Sequence, residues 1–285
     1  VYGGQDLRRF IGFHSKQVAG MIHIAINGAT GRMGRRLVAL TAEDAELKLV
    51  AALDHAGCGL VGQDAGRVAG AEEIGVQISS TLQANVVTPD VMIDFSVQPA
   101  VLAVVKLCVE QGIPLVTGTT GLTDADQQAI EHATKTIAVL QAPNMSLGVN
   151  LLFALAGQVA RQLGDDYDIE VVEAHHRFKQ DAPSGTAMGL IESICDATGK
   201  DIHKDVKHGR SGNDPRVSGE IGVHALRLGD EVGRHTVSFA TLGEEVQLTH
   251  RASTRDTFAK GALRAARWLN GKPTGRYTMK DVLGL

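Results

Sequence analysis

From Met21 to about Pro143 the chain repeats one pattern: a short apolar run, a turn, then a stretch with helical spacing. No other feature restricts the fold so strongly. Ile22–Asn27, Leu47–Leu53, Val91–Phe95, Leu115–Thr117 and Ile137–Leu140 are continuous apolar runs, not alternating ones. A strand apolar on both faces needs cover on both faces, which a parallel sheet flanked by helices supplies. The segments between them read as those helices. Arg32–Glu43 sets Met33, Leu37 and Leu40 on one stripe, Pro99–Glu110 opens with proline, and Thr123–Lys135 opens Thr-Asp-Ala-Asp like a capping box. The expected fold class is α/β with a doubly wound parallel sheet.

After Pro143 the texture changes. A helix over Met145–Leu163 leads to a strand at Asp168–Ala174 and then to a region rich in glycine, histidine and lysine. Strand-like runs at Ile221–Leu228, His235–Ala240 and Glu245–His250 are joined by glycine-containing connections, as in an antiparallel or mixed sheet. Thr254–Leu269 returns to helical spacing, and Lys204–Pro215 is polar enough to read as a mobile loop. The parse is a nucleotide-binding domain at 21–145 and 254–285, with an inserted α+β domain at 146–253. Residues 1–20 lack the apolar core of a signal peptide and are set aside as a leader or extension.

Composition excludes several function classes. With 28 Lys+Arg against 32 Asp+Glu and few aromatic residues, the chain lacks the basic footprint and stacking platforms of a nucleic-acid binder. The most apolar stretch, at 145–160, is interrupted by Asn150 and Gln158, so no membrane partner is expected. Cys58, Cys108 and Cys195 are far apart and form no CxxC motif, which argues against a disulfide framework or a zinc site and for a reducing cytoplasm. The 33 glycines have no collagen-like period, so they point to turns and to close approach of backbone to a ligand.

Gly28-Ala29-Thr30-Gly31-Arg32-Met33-Gly34 lies between the first strand and the first helix. Glycines there allow a tight turn and close backbone approach, while the helix start offers free N–H groups to a pyrophosphate. Asp54 ends the second strand, where a carboxylate accepts hydrogen bonds from an adenosine ribose. A carboxylate followed by His55 repels a 2′-phosphate, although Arg32 or Arg35 stands within reach of one; NADH preference or dual use of NADH and NADPH is expected. Gly118, Thr119 and Thr120 follow one strand, and Ala142, Pro143, Asn144 and Met145 follow the next. Turns at adjacent strand ends read as the nicotinamide-side wall.

Residues 173–186, EAHHRFKQDAPSGT, are the densest chemistry in the chain. Ser184, Gly185 and Thr186 start a helix at Ala187–Ala197 and offer N–H groups and a hydroxyl to an anion, with Lys179 and His176 as further donors. His175 is suited to proton transfer near neutral pH. Ser184 as a plain helix cap, and one histidine as a core hydrogen-bonder, are the structural alternatives. Adjacent histidines lack the spacing of a metal site, and no metal is expected.

Taken together, GATGRMG, GTTG, APNMSLGVN, EAHHRFKQDAPSGTA and HRASTRDTFAKGALRAARWL resemble the bacterial 4-hydroxy-tetrahydrodipicolinate (dihydrodipicolinate) reductase family, from Met21 onward. The resemblance implies a Rossmann-type domain with an inserted mixed-sheet domain that assembles a homotetramer. It implies reduction of a small cyclic dicarboxylate by NADH or NADPH in diaminopimelate and lysine synthesis. It further implies that Gly28–Met33 cradles the pyrophosphate, Asp54 holds the ribose, and Gly118–Thr120 and Ala142–Met145 line the nicotinamide. His175 and Lys179 match the proton donors, and His176, Gly185 and Thr186 the substrate-carboxylate contacts. Phe178 stands where a histidine is common, and His55 where dual-cofactor members often carry arginine.

Two other readings compete. A semialdehyde dehydrogenase needs a cysteine nucleophile, and none of the three cysteines lies in a suitable context. A dinucleotide-sensing regulator needs no turnover, and the histidine–lysine–anion cluster argues against it.

Overall fold

The computed structural model describes residues 20–83 and 87–285; residues 1–19, read as a leader or extension, lie outside them. The apolar runs pair as parallel strands, and the first unit is built from them. β1 (Ile22–Asn27), α1 (Arg32–Ala42), β2 (Leu47–Leu53), α2 (Ala65–Val68), β3 (Ile78–Ser79), β4 (Val91–Asp94), α3 (Val101–Gln111), β5 (Leu115–Thr117), α4 (Asp124–Ala133) and β6 (Ala138–Gln141) follow in order. The seven-stranded sheet runs β12-β6-β5-β4-β1-β2-β3, all parallel, with β12 (Gly275–Tyr277) added at the edge from the end of the chain. Strand order reverses between β1 and β4. There the turns diverge to opposite faces and open a crevice at the carboxyl ends.

Both faces are covered, as the unbroken apolar strands demand. One core packs Ile24, Ile26, Leu37 and Ile93 against Ala262, Ala266 and Leu269 of α7 (Asp256–Leu269). The other packs Ala25, Met92 and Leu115 against Val104, Cys108 and Ile130 of α3 and α4. The return helix is therefore structural in the first unit, and Arg36 of α1 grips Asp256 through two hydrogen bonds of 2.7 and 2.8 Å. α8 (Met279–Leu283) closes the chain. At α4 the capping box forms in both directions between Thr123 and Asp126. Pro99 lies in a 3₁₀ turn that precedes α3 rather than in its first turn.

The second unit comprises α5 (Leu147–Leu163), β7 (Asp168–His175), α6 (Gly185–Thr198), β8 (Val206–His208), β9 (Ile221–Arg227), β10 (Gly233–Thr241) and β11 (Glu244–Ala252). Its five-stranded sheet is mixed, in the order β11-β10-β7-β9-β8. β9 and β10 are consecutive in the chain yet do not pair; β7 lies between them, parallel to β9 and antiparallel to β10. α5 and α6 cover one sheet face around Val171, Val237 and Phe239.

Lys204–Pro215, expected to be a mobile loop, is tied down. It contains β8, Lys207 pairs with Asp214 at 3.0 Å, and Arg210 reaches both Glu170 on β7 and Glu220. Its polarity reflects ion pairing to the sheet, not freedom.

Candidate active site

The glycine loop and Asp54 are built as one piece. Gly28 sits at φ +75°, and Gly31 N–H donates to its carbonyl at 3.1 Å. Gly34 faces that carbonyl so closely that a Cβ would lie 2.0 Å from the oxygen, so only glycine lets α1 approach the turn. Thr30 donates both its N–H (2.9 Å) and its hydroxyl (2.6 Å) to Asp54, which also accepts from His55 N–H at 2.9 Å. Burial pushes the Asp54 pKa up, but the Thr30 and His55 bonds outweigh it and hold the carboxyl below its usual range. Unlike α4, α5 and α6, α1 has no side-chain cap, and unlike α4 it has no acidic residue in its first turn. Its N–H groups and positive dipole end are left to an external anion, which fits a pyrophosphate. Ala29 is buried, and its N–H is spent on Leu53 O, so it shapes the loop from behind.

A cavity of about 520 Å³ opens beside this loop, with Thr30, Asp54 and His55 on one side and Leu82, Val104 and Leu107 on the other. Among the described residues its lining holds no arginine or lysine. Arg35, one candidate for a 2′-phosphate, is turned onto the Thr30 carbonyl at 2.8 Å, while Arg32 lines the neighbouring cavity.

That neighbouring cavity, about 500 Å³, brings together Arg32, Met33, Gly118, Thr119, Thr120, Pro143, Asn144 and Met145 from the first unit and His175, His176, Lys179 and Thr186 from the second. Ala142 stops short of it; buried, it donates its N–H to Thr117 O. A third space of about 610 Å³ continues from Lys179 along Ser184, Gly185 and Thr186. Asn144 bridges the units, donating to the Thr186 hydroxyl at 3.1 Å.

The two-residue period of β7 explains how Glu173 and His175 come together. Ile169 and Val171 point into the core, and on the same face Glu173 and His175 follow at the strand's carboxyl end. Glu173 is fully buried and accepts from His175 Nδ1 at 2.6 Å, from the Ser184 N–H at 3.0 Å, and from both Arg227 terminal nitrogens at 2.9 Å. Burial pushes the Glu173 pKa up, but Arg227 and His175 outweigh it, so the carboxylate stays ionised. An ionised partner fixes the proton of neutral His175 on Nδ1 and leaves Nε2 for the cleft. Burial lowers the His175 pKa, against the opposing pull of Glu173. His235, paired with Glu173 in the sheet register, stacks edge-on to His175 at 5.1 Å and is pushed down to about 4 by burial and by His175.

Ser184 departs from expectation. Its N–H goes to Glu173, and its hydroxyl accepts from Ala187 N–H at 3.1 Å and meets His235 Nε2 at 3.0 Å. It is a helix cap and an anchor for the histidine pair, with nothing left to donate to a ligand through its N–H. The N–H groups of Gly185 and Thr186, by contrast, have no partner among the described residues. His176 Nδ1 is buried and likewise unpartnered among them. Lys179 is held by Asp181 at 2.8 Å.

Sequence reasoning missed four contributors: Asp94, Arg227, His235 and Arg255. Asp94, fully buried, gathers Asn27, Ser96, Thr117 and Thr119 at 2.8–3.3 Å and so holds the Gly118–Thr120 turn. Its only signal was an acid closing an apolar strand. Arg255 lines the second cavity from the start of the return helix. Cys108 and Cys195 are buried with their thiol pKa values pushed up by burial, so neither is a nucleophile. No described helix is long and apolar enough to cross a membrane.

Comparison with known proteins matches the geometry. Residues 22–145 match the family model for the dihydrodipicolinate reductase N-terminus, and residues 148–283 that for its C-terminus. The 4-hydroxy-tetrahydrodipicolinate reductase of Thiobacillus denitrificans is 48% identical over 268 residues, covering 93% of this chain and 99% of that protein. The enzyme of that name from Hahella chejuensis is 47% identical, covering 93% and 100%. Among solved structures, a dipicolinate-bound dihydrodipicolinate reductase from Paenisporosarcina sp. TG-14 superposes with a TM-score of 0.71 at 26% identity, covering 90% of this chain and 97% of that one.

Proposed function

Because the chain belongs to the dihydrodipicolinate reductase family, we propose that its adjoining cavities hold a reduced pyridine dinucleotide and a cyclic dicarboxylate side by side. The activity is reduction of 4-hydroxy-tetrahydrodipicolinate to tetrahydrodipicolinate with NAD(P)H, in diaminopimelate and lysine synthesis. One observation carries the assignment of residues: Gly118–Thr120 and Asn144 of the first unit line the same cavity as His175, His176, Lys179 and Thr186 of the second.

In this reading Gly28–Met33 and the uncapped start of α1 take the pyrophosphate, and Asp54 takes the ribose. Gly118–Thr120 and Pro143–Met145 face the nicotinamide, and the bound cofactor supplies hydride. His176 and the free N–H groups of Gly185 and Thr186 bind substrate carboxylate, and Lys179 exchanges Asp181 for the incoming anion. Orientation by these groups converts hydride transfer into a near-unimolecular step. His175 and Lys179 furnish the proton required as the 4-hydroxyl leaves as water. Ser184 acts through Glu173 and His235 rather than on the substrate.

NADH is preferred or both cofactors are used, since among the described residues no arginine or lysine lines the first cavity. The units divide at 21–145 with 254–285, and 146–253. Four copies assemble in the cytoplasm through the sheet face opposite α5 and α6, where Val172, Thr236 and Ser238 are half-buried and Leu226 is exposed. Light scattering should give four times the 30.1 kDa chain mass. A single-chain mass at working concentration overturns the assembly.

The decisive assay follows NADH oxidation on adding the condensation product of pyruvate and aspartate semialdehyde. His175→Ala and Lys179→Ala should each lower kcat far more than they weaken NADH binding. A wild-type kcat in either variant removes that residue from proton transfer. Tight NADH binding without turnover in the native chain favours a dinucleotide sensor instead.

A further inference from the structure

Asp54 and His55 line the first cavity, and with the neighbouring Cys58 they bring together three different metal-ligating donors, one ligand atom from each within 4.8 Å of the others. The turn is preformed. Cys58 N–H donates to the His55 carbonyl at 2.9 Å, which folds the thiol back over Thr30, 3.7 Å from its hydroxyl. Asp54 is not saturated by its own loop. Oδ2 takes both Thr30 bonds, whereas Oδ1 takes only the His55 N–H and keeps a lone pair, 3.9 Å from His55 Nε2. The His55 ring is mostly exposed and free to turn, and Cys58 is half-buried.

We propose that Asp54, His55 and Cys58 form an exchangeable site for a borderline divalent transition-metal ion such as Zn²⁺, and that its occupancy excludes the dinucleotide. Carboxylate, imidazole and thiolate are the zinc donor set, and solvent at the rim supplies a fourth ligand. As the metal–sulfur bond forms, the thiol proton leaves to solvent and no redox change occurs. The absence of a paired cysteine motif, which argues against a structural zinc, does not bear on a site of this kind. Exclusion rests on the reading of Asp54 as the ribose carboxylate: an oxygen bound to metal is lost to the ribose.

The experiment uses the full chain, with Co²⁺ as spectroscopic probe and Zn²⁺ as inhibitor. Co²⁺ should give a near-ultraviolet thiolate charge-transfer band that Cys58→Ser abolishes, while Cys58→Ser keeps wild-type turnover without metal. Zn²⁺ should raise the apparent KM for NADH about tenfold at ten times its inhibition constant, with kcat unchanged, and much less in Cys58→Ser. No charge-transfer band, or a band surviving in Cys58→Ser, overturns the site. A band present in the native chain that saturating NADH does not displace, while NADH fluorescence reports binding, overturns exclusion and the Asp54 reading but leaves the metal site standing.

Discussion

Glu173 Oε2 lies 2.6 Å from His175 Nδ1, inside the protein, while Arg227 holds both oxygens of the same carboxylate. A buried charge on a strand is costly unless fully bonded. This one is bonded on every side, and its effect is to aim Nε2 of His175 at the cleft. Glu173→Gln keeps the shape but removes the charge. It should cut kcat about ten- to a hundredfold, part of the ~10²–10⁴ that a positioned acid–base group supplies. Because Glu173 raises the His175 pKa, its loss should also move the His175 limb of the kcat–pH profile to lower pH. A profile that keeps its limbs while kcat falls would make Glu173 merely structural.

His235 gives the fold an acid-labile point. Its folded pKa is depressed to about 4, so the unfolded chain takes a proton at a higher pH than the folded chain does. Stability is therefore full above the unfolded value near 6.5 and declines as pH falls from there toward 4, by up to about 3 kcal/mol. Denaturant midpoints measured from pH 7 to pH 4.5 should show this fall. His235→Gln, which cannot titrate, should flatten it while lowering stability throughout.

Asp54 has two roles in the proposed function, since the carboxylate assigned to the ribose also fastens Thr30. A 2′-phosphate brought against it meets no arginine or lysine among the described residues of the cavity lining. The native chain should show kcat/KM for NADH at least equal to that for NADPH. His55→Arg, which places a permanent cation at an exposed position, should raise kcat/KM for NADPH about two- to fivefold, the value of one exposed ion pair of up to ~1 kcal/mol. Much higher NADPH efficiency in the native chain would contradict this account.

The legible parts were those written locally. Unbroken apolar runs such as Val91–Asp94 announce a strand covered on both faces, and the loop from Gly28 to Gly34 announces a tight turn into a closely packed helix. Residues 173–186 were legible because the strand end, the loop and the helix start are contiguous. What escaped depends on pairing across distance. Arg227 reaches Glu173 only because β9 lies parallel to β7, and His235 only because β10 pairs on β7's other edge. Nothing near Lys204–Pro215 shows that Arg210 finds Glu170, so its charges looked like solvated loop. Ser184 carried two credible roles in sequence, and the buried Glu173 beside it decided between them.

Two glycines of the phosphate turn separate folding from binding. A Cβ on Gly34 would sit 2.0 Å from the Gly28 carbonyl oxygen and 2.7 Å from Ala29 Cα, both backbone atoms that α1 and β1 hold in place. Gly34→Ala must push the helix off the turn, an overpacking cost of about 1–3 kcal/mol, and should lower Tm in the free protein as well as weaken NADH binding. A Cβ on Gly31 would lie 3.2 Å from the same oxygen, at an ordinary φ of −69°, so a shift of a few tenths of an ångström relieves it. Gly31→Ala should leave Tm nearly unchanged yet weaken NADH, because the added methyl stands where backbone approaches the pyrophosphate. Thermal melts and NADH titrations of both variants check the pair. Equal Tm losses, or NADH affinity untouched in Gly31→Ala, would place the pyrophosphate away from this turn.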